Sequence, residues 1–317
     1  MKKLLLFALL VTITTLQSCS EQKSTAIEDA VMYFNDNQFE KTLIIVNEIL
    51  LDNPQDYFAY SVQGRAFFAL GKPIDGIESM SKAIYLNPEY YQAFAYRSTM
   101  YKSIGEPQKA LDDVEIALKN DATNIDLIKI QASILYSLGE NERAIEVFNE
   151  LLKLEPKDAE SLVYRAILQK RLRNYDATLT DLEKAIAINP NYDFAYEARA
   201  DFYTYSLAEN FEQAIKDYDK VINNFKDDVP SQNKAYVFNN RGFAKYQAND
   251  FDGAIEDINT SIQLFPKNAY AYKNRALVHL SSDNVASMCA DLAKAKALNF
   301  EDKYGQEVNN LIQENCK

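Results

Sequence analysis

Three cysteines and one histidine are the side chains in this sequence best suited to covalent or metal chemistry. They are Cys19, Cys289, Cys316 and His279. The sequence contains no HExxH, no paired CxxC, no GxSxG and no glycine-rich phosphate loop, so no motif of a zinc, hydrolase or phosphate-binding site is present. Cys289 and Cys316 lack histidine companions, which argues against zinc. The sequence therefore predicts a protein that is not an enzyme and that has no metal or cofactor.

A second pattern pairs arginine with aspartate at a nearly fixed separation. Five arginines are each followed by an aspartate 16 residues later, or 18 in one case: Arg97 and Asp113, Arg165 and Asp181, Arg199 and Asp217, Arg241 and Asp257, Arg275 and Asp291. An antiparallel helical hairpin would bring the two members of each pair level, so we predict five internal salt bridges. The alternative is a row of arginines that binds an anionic ligand, but bridged arginines would already be occupied.

Helical hairpins are indicated by a period of 34 residues. Pro54, Pro88, Pro156 and Pro190 share this spacing, and Ala122 takes the intervening position. A fixed period of this size is typical of stacked two-helix units, in which proline ends the second helix. The units begin at Lys23, Tyr57, Tyr91, Ile125, Ala159, Asp193, Ala235 and Ala269.

The period is interrupted once, between Pro190 and Pro266, where the chain holds eight extra residues. Two fit a turn at 206–210, and six fit the segment 227–234, in which Asp, Pro, Ser and Asn cluster as in a loop. We interpret both as surface insertions; the alternative is a hinge or a contact loop.

Residue types also recur at fixed positions within the units. The eighth position is small in every unit: Ala30, Gly64, Ser98, Ala132, Ala166, Ala200, Gly242 and Ala276. Small residues let two helices approach closely, and the fourth position is large and apolar in all units but the first. The pattern resembles the tetratricopeptide repeat family over nearly the whole chain after the first segment.

The resemblance implies an all-α, right-handed α-solenoid of about eight helix-turn-helix units over residues 23–302. Apolar residues at helical spacing follow, at Tyr304, Val308, Leu311 and Ile312. An open repeat end would expose apolar surface, so we predict a capping helix over 303–317.

The family resemblance also implies where a partner would bind. In this family the first helix of each unit lines a concave groove, mainly through positions 2, 5, 9 and 12. The candidate partner-binding residues are Phe58, Arg65, Phe68, Lys102, Lys129, Tyr136, Lys170, Phe194, Tyr236, Phe243, Tyr246 and Tyr270. Glu197 and Asp201 share this face. Such a mixture of aromatic rings and lysines suits a protein or peptide segment. The lysine and asparagine pattern of the repeats that clamp a C-terminal carboxylate is missing.

The first segment has the features of a secretion signal. Lys2 and Lys3 precede an apolar run, Leu4–Leu16, that is too short to span a bilayer comfortably. The sequence ending at Cys19 resembles the lipobox of bacterial lipoproteins, which implies a signal peptide over 1–18, acylation of Cys19 and a short lipidated linker over 19–22. With Ser20 after the cysteine, the same resemblance implies transfer to an outer membrane. The alternative is an ordinary signal peptide with an incidental cysteine.

The net charge and the two remaining cysteines bear on the class of partner and on the cellular compartment. The net charge of −12 becomes more negative if Lys2 and Lys3 are removed, so nucleic acid is a poor partner. In an oxidising envelope compartment, Cys289 and Cys316 are candidates for a disulfide that ties the last repeat to the terminal helix. Two separate thiols are the alternative.

Together these features predict a non-catalytic adaptor that is lipid-anchored in a bacterial cell envelope, at the outer membrane, and that binds a protein or peptide. One alternative is a lipoprotein that captures a glycan or nutrient, although the absence of tryptophan counts against stacking on sugars. A hydrolase is a second alternative, which a compact cluster of facing carboxylates would favour.

Overall fold

The computed structural model describes residues 26–206 and 209–316, and every regular element in these ranges is an α-helix. The first eight helices are α1 (26–35), α2 (Phe39–Asp52), α3 (Tyr57–Ala69), α4 (Pro73–Leu86), α5 (Tyr91–Ser103), α6 (Pro107–Leu118), α7 (Ile125–Leu138) and α8 (Asn141–Leu154). The next ten are α9 (Ala159–Arg171), α10 (Tyr175–Ile188), α11 (Asp193–Tyr205), α12 (Phe211–Asn223), α13 (Ser231–Gln247), α14 (Phe251–Leu264), α15 (Ala269–Ser281), α16 (Val285–Ala297), α17 (Phe300–Tyr304) and α18 (Glu307–Asn315).

The helices form consecutive antiparallel pairs, and the chain divides into two compact bodies after Leu154. The N-terminal body contains the pairs α1/α2 to α7/α8, which we call repeats one to four. The C-terminal body contains α9/α10 to α15/α16, which are repeats five to eight, followed by α17 and α18. This all-α arrangement of repeated helix pairs is the fold that the sequence predicts.

Local capping chemistry explains why the helices begin and end where they do. The Asp56 side chain accepts a hydrogen bond from the amide of Ala59 at the start of α3, and Asn124 caps α7 in the same way. Pro73 and Pro107 lie in the first turn of α4 and α6, where proline removes no helical hydrogen bond. Gly139 ends α7 with φ +75°, in the left-handed region that glycine adopts without strain.

Small residues bring the two helices of a repeat into contact. In repeat seven, a Cβ added to Gly242 would lie 2.7 Å from Ile258 Cγ1 and 3.1 Å from the carbonyl oxygen of Ala254. A side chain at this point would therefore separate α13 from α14. The fully buried alanines at the same position, Ala132, Ala166 and Ala200, show that other repeats admit one methyl group.

All five predicted Arg–Asp bridges are confirmed, and each joins the first helix of a repeat to its second. In repeat three, Arg97 Nε and Nη2 each donate to one carboxylate oxygen of Asp113 over 2.8 Å. The shortest N–O distances are 2.6–2.8 Å across the set, and the aspartates are nearly inaccessible to water. A bidentate pair of this kind fixes the spacing of two helices. Each guanidinium is already paired with a carboxylate, which argues against the alternative of an arginine row that binds an anion.

A neutral contact replaces the bridge in repeat two. Ser79 Oγ donates to Gln63 Oε1 over 2.9 Å, from α4 to α3, and both residues occupy the positions that elsewhere hold aspartate and arginine. The paired change of both residues avoids an unpaired buried charge.

The insertion between repeats six and seven differs from its prediction. The segment 227–234 was expected to be a loop, but α13 begins at Ser231, four residues before the expected Ala235. Pro230 lies at the N-cap, so the added turn starts directly after it. The turn at 206–210 follows the end of α11 at Tyr205; residues 207 and 208 lie outside the described ranges. The predicted signal peptide, Cys19 and the linker also lie outside them.

The C-terminal cap consists of two helices rather than the single helix expected over 303–317. Gly305, with φ +91°, separates α17 from α18. Val308 is fully buried against the core of repeat eight, which includes Met288 and Leu292. Cys289 on α16 and Cys316 after α18 form a disulfide with a Cα–Cα distance of 5.8 Å. Among the described residues, no helix is both long and apolar enough to cross a membrane.

Candidate functional site

The first helices of successive repeats form the inner side of each body. In the C-terminal body, α9 contacts α11, α11 contacts α13 and α13 contacts α15, whereas the second helices make fewer contacts with one another. Helices that converge in this way lie on the concave side of a curved stack. We call this surface of the C-terminal body, formed by α9, α11, α13 and α15, the inner face.

In the N-terminal body, the predicted partner-binding residues mostly contact neighbouring repeats. The Arg65 guanidinium lies 4.2 Å from the centroid of the Phe34 ring and 5.0 Å from that of Tyr96. Phe68 is half-buried against the cluster that contains Met80 and Met100. These contacts stabilise the packing of repeats one to three, because Arg65 of repeat two is attracted to aromatic rings of both neighbouring repeats.

The remaining predicted residues of that body are more accessible. Lys102 Nζ donates to Ser133 Oγ over 2.7 Å and links α5 to α7. Phe58 and Lys129 are exposed, and Tyr136 is half-buried. Phe58 also makes an edge contact with Tyr90 at 6.4 Å.

A row of aromatic rings crosses the inner face of the C-terminal body. Tyr205 on α11 stacks on Phe243 on α13, with centroids 5.5 Å apart and ring planes within 9° of parallel. Tyr246 lies one turn further, 5.9 Å from Phe243. The exposed Tyr236 makes an edge contact with Phe265 at 6.0 Å. Since Tyr205 remains substantially exposed, the row offers a broad apolar surface with polar hydroxyl groups.

The cap covers the end of this row. Tyr270 lies 4.7 Å from Tyr304 and 5.4 Å from Phe300, so the chain's own terminal segment occupies one side of its ring. Lys273 Nζ lies 2.7 Å from the carboxylate of Glu307 on α18 and 5.6 Å from the Phe243 centroid. The accessible part of the inner face therefore extends from α9 to α13.

A cavity of about 260 Å³ opens between α9 and α11 on the inner face. Its charged lining residues are Lys170 and Arg171 on α9 and Glu197 and Asp201 on α11; the others are Ala166, Ile167, Thr178, Leu182, Phe194 and Ala198. The Phe194 ring is held by Tyr164 at 5.8 Å and Tyr192 at 6.1 Å. The cavity thus combines apolar walls with charges of both signs, as ligand sites commonly do.

The electrostatics of the cavity differ sharply between its two carboxylates. Burial raises the pKa of Glu197 to about 7, and the negative charges of Asp201 and Asp193 add to this effect. Burial also raises the pKa of Asp201, but hydrogen bonds from Tyr218 and Asn240 and the charge of Lys170 oppose the rise. Burial lowers the pKa of Lys170. Glu197 is therefore the carboxylate whose charge is least compensated.

Asp201 is the end of a chain of hydrogen bonds that crosses the inner helices. Its Oδ1 accepts from Tyr218 Oη at 2.5 Å and from Asn240 Nδ2 at 3.2 Å. The Asn240 amide oxygen in turn accepts from Asn239 at 3.1 Å, and Asn239 accepts from the buried Asn274 at 3.0 Å. This network joins α11, α13 and α15, so it fixes the orientation of Asp201.

The sequence predicts Lys170 and Phe194 as binding residues and places Glu197 and Asp201 on the same face, but Tyr205, Tyr218 and Asn240 were not predicted. The available signal for Tyr205 was its spacing, since Glu197, Asp201 and Tyr205 follow one another at intervals of four residues and thus lie on one side of a helix. Among the described residues, no group of three or more His, Cys, Asp or Glu side chains could hold a metal ion.

Comparisons with known proteins agree with this architecture. Residues 131–193 match the family model described as tetratricopeptide repeat. A TPR repeat-containing protein of Methanocaldococcus jannaschii is 27% identical over 131 residues, which are 41% of this chain. The matched segment spans only 20% of that relative's length.

Solved structures extend the similarity to most of the chain. A tetratricopeptide repeat protein from Parabacteroides merdae has a TM-score of 0.66 and 22% identity, and the match covers 82% of this chain and 99% of that one. A chain of the APC/C hetero-tetramer Cut9–Hcn1 has a TM-score of 0.64 and 15% identity, over 88% of this chain and 53% of that one. YrrB, a TPR protein with an unusual peptide-binding site, has a TM-score of 0.52 and 20% identity, over 55% of this chain and 90% of that one.

At these identities the structural likeness concerns the fold alone. The family match covers most of repeat four, all of repeat five and the first residue of repeat six, and the helix pairs on both sides of it have the same architecture. Residues 131–193 are therefore similar to tetratricopeptide repeats, and the helix pairs of the described chain have the tetratricopeptide repeat fold.

Proposed function

We propose that the protein is a non-catalytic scaffold that binds a segment of a partner protein on the inner face. The observation that carries the proposal is that the stacked rings of Tyr205 and Phe243 and the cavity beside Phe194 lie on one surface. Aromatic side chains bury large areas with few rotamers to restrict, so they favour protein recognition. The peptide-binding site of YrrB is a further support, since its fold is similar.

The proposal includes an anchor at the N-terminus. We infer that Cys19 is acylated and that the protein belongs to a bacterial cell envelope, at the outer membrane. The support is the sequence before Cys19, an apolar run that follows two lysines. Acyl chains contribute about 0.8 kcal/mol per buried CH₂ group, so several chains give a durable anchor.

Selection from a random peptide display library on the purified protein tests the binding function. Selected peptides should bind the parent protein and lose at least tenfold in affinity to Tyr205→Ala and Phe243→Ala. Tyr85→Ala is the matched control, because Tyr85 is an exposed aromatic residue on the second helix of repeat two. Circular dichroism of each variant establishes that it is folded.

The alternative functions make different predictions for the same protein. Selection of no peptide, together with binding on a glycan array, would replace the scaffold by a glycan-binding protein. The anchor is tested separately: mass spectrometry of the protein from its native membrane should find an acylated Cys19, and Cys19→Ser should release the protein from the membrane. An unmodified N-terminal residue other than Cys19 would contradict the anchor without affecting peptide binding.

A further inference from the structure

We propose that the cavity between α9 and α11 binds a basic side chain, arginine or lysine, of the segment bound on the inner face. This inference rests on the proposed scaffold function and specifies the chemistry of its partner. Its basis is the arrangement of Glu197, Asp201 and Lys170 around the cavity.

The shape of the cavity suits a long side chain with a charged end. Phe194, Ile167 and Leu182 provide apolar walls, which the methylene groups of lysine or arginine can contact. Glu197 and Asp201 lie on one side of α11, four residues apart, and both line the cavity. A side chain that enters from the inner face therefore meets apolar groups along its stem and carboxylates near its end.

The charges favour a cation over an anion. The Asp201 carboxylate already accepts hydrogen bonds from Tyr218 and Asn240 and is attracted by Lys170. Within the described residues, Glu197 accepts no side-chain hydrogen bond and takes part in no ion pair within 4.0 Å, and its charged neighbours on α11, Asp193 and Asp201, are both negative. An ionised Glu197 thus lacks a counter-charge that an arriving guanidinium or ammonium group would supply.

Lys170 does not fill this role. It forms no ion pair with either carboxylate, and its attraction is directed to Asp201 rather than to Glu197. The cavity is also a poor fit for an anionic group, because a carboxylate that approached Lys170 would meet the negative charges of Glu197 and Asp201. Removal of Lys170 should therefore strengthen the binding of a basic side chain and could only weaken the binding of an acidic one.

Binding should increase as the pH rises through 7. The groups that face Glu197 are Asp193 and Asp201 on α11 and Lys170 and Arg171 on α9; α10 contributes the uncharged Thr178 and Leu182. The Asp193 carboxylate accepts a hydrogen bond from the side chain of Asn224, directly after α12, at 2.7 Å. Since the pKa of Glu197 lies at about 7 in the empty cavity, a cation binds to the ionised form that predominates above this pH.

Peptide display provides the test. Peptides selected on the parent protein at pH 8 should share an arginine or lysine at one position, and its replacement by citrulline or norleucine should weaken binding at least tenfold. Glu197→Gln should abolish the preference for the basic residue, and Lys170→Met should increase affinity severalfold. Glu212→Gln and Lys184→Met, which alter exposed charges on the second helices α12 and α10, should change neither.

Three results would overturn the inference while leaving the scaffold function intact. They are selected peptides without a shared basic residue, peptides with an acidic residue whose binding is lost in Lys170→Met, and a basic preference that survives in Glu197→Gln. A failure to select any peptide would instead count against the scaffold function itself.

A direct probe tests the cavity even if no peptide is selected. N-acetyl-arginine amide, added to protein labelled with ¹³C at the glutamate carboxyl groups, should shift the Glu197 resonance and lower the pKa read from its titration. N-acetyl-citrulline amide is the uncharged control. No shift of the Glu197 resonance at saturating probe, or an equal shift with citrulline, would exclude a site for basic side chains.

Discussion

The hydroxyl group of Tyr218 lies 2.5 Å from Oδ1 of Asp201 and donates a hydrogen bond from the second helix of repeat six to the first. Tyr218 is fully buried, whereas Asp201 reaches the cavity between α9 and α11. A single hydrogen bond thus couples the core of repeat six to the surface where we expect a partner to bind.

Tyr218→Phe should lower the free energy of unfolding by about 1–3 kcal/mol, because the half-buried Asp201 carboxylate loses its shortest hydrogen bond while the ring still fills the core. Urea denaturation followed by circular dichroism measures the change. Tyr304→Phe, in which the lost hydroxyl is on an exposed ring, should be neutral. Equal effects in the two variants would mean that the Tyr218–Asp201 bond contributes nothing.

The Arg–Asp bridges should be far more sensitive to single than to paired substitution. Arg97→Gln leaves Asp113 unpaired at 4% exposure, and we expect a loss of about 3–5 kcal/mol. The double variant Arg97→Gln/Asp113→Ser reproduces the neutral pair of repeat two, Gln63 and Ser79, and should recover most of that loss. A double variant no more stable than the single one would show that the two residues act independently.

Gly242→Ala should destabilise repeat seven by about 1–3 kcal/mol, because the added methyl group would come within 2.7 Å of Ile258 Cγ1. Hydrogen exchange should localise the effect to α13 and α14. Gly253→Ala is less suitable as a control, since it too would clash, with the Asp250 side chain. Ala248→Gly, which removes an exposed methyl group at the end of α13, should leave exchange in α14 unchanged.

Loss of the disulfide should loosen the cap. The Cys289→Ser/Cys316→Ser variant opens a link between residues 27 apart, for which the chain-entropy relation gives at most about 3–4 kcal/mol. Amide exchange should accelerate in α18 and around Cys289 in the first half of α16. Unchanged exchange in α9–α11 is the internal control, and unaltered protection of α18 would show that apolar packing, including that of Val308, holds the cap without the disulfide.

Stability should depend on the protonation of Glu197. The pKa of Glu197 is about 7 in the folded protein, above the ordinary 4.5, so protonation of Glu197 stabilises the folded state. This stabilisation is lost as the pH rises from about 4.5 to 7. Glu197→Gln removes the cost of burying an ionised carboxylate at this position. The variant should equal the parent near pH 4 and exceed it by about 1–3 kcal/mol near pH 8. A constant difference across this range would contradict the raised pKa.

The architecture was predictable because its signals are local. The helices α3, α5, α7, α9, α11 and α15 begin at the residues that the 34-residue period predicts, from Tyr57 to Ala269. The Arg–Asp bridges followed from the same period, since a hairpin of known length fixes which positions face each other. The start of α13 was wrong by four residues, because Ser231–Lys234 has the polar composition of a loop and is helical only after Pro230.

The cavity was not predictable in this way. Lys170 and Phe194 were expected to bind a partner, but the lack of a counter-charge for Glu197 depends on how α9 and α11 pack across two repeats. The Tyr164–Phe194 contact and the direction of Lys170 towards Asp201 are tertiary features that a single repeat does not encode. Similarly, Tyr270 matches the pattern for an accessible residue, but the rings of the cap cover it.

The fit of Val308 into repeat eight limits how copies of this protein can associate. Identical helix pairs with an open apolar end would add to one another head to tail and grow into filaments. Here α18 occupies that end, and a covalent bond keeps it in place. Head-to-tail polymerisation through this surface is therefore blocked.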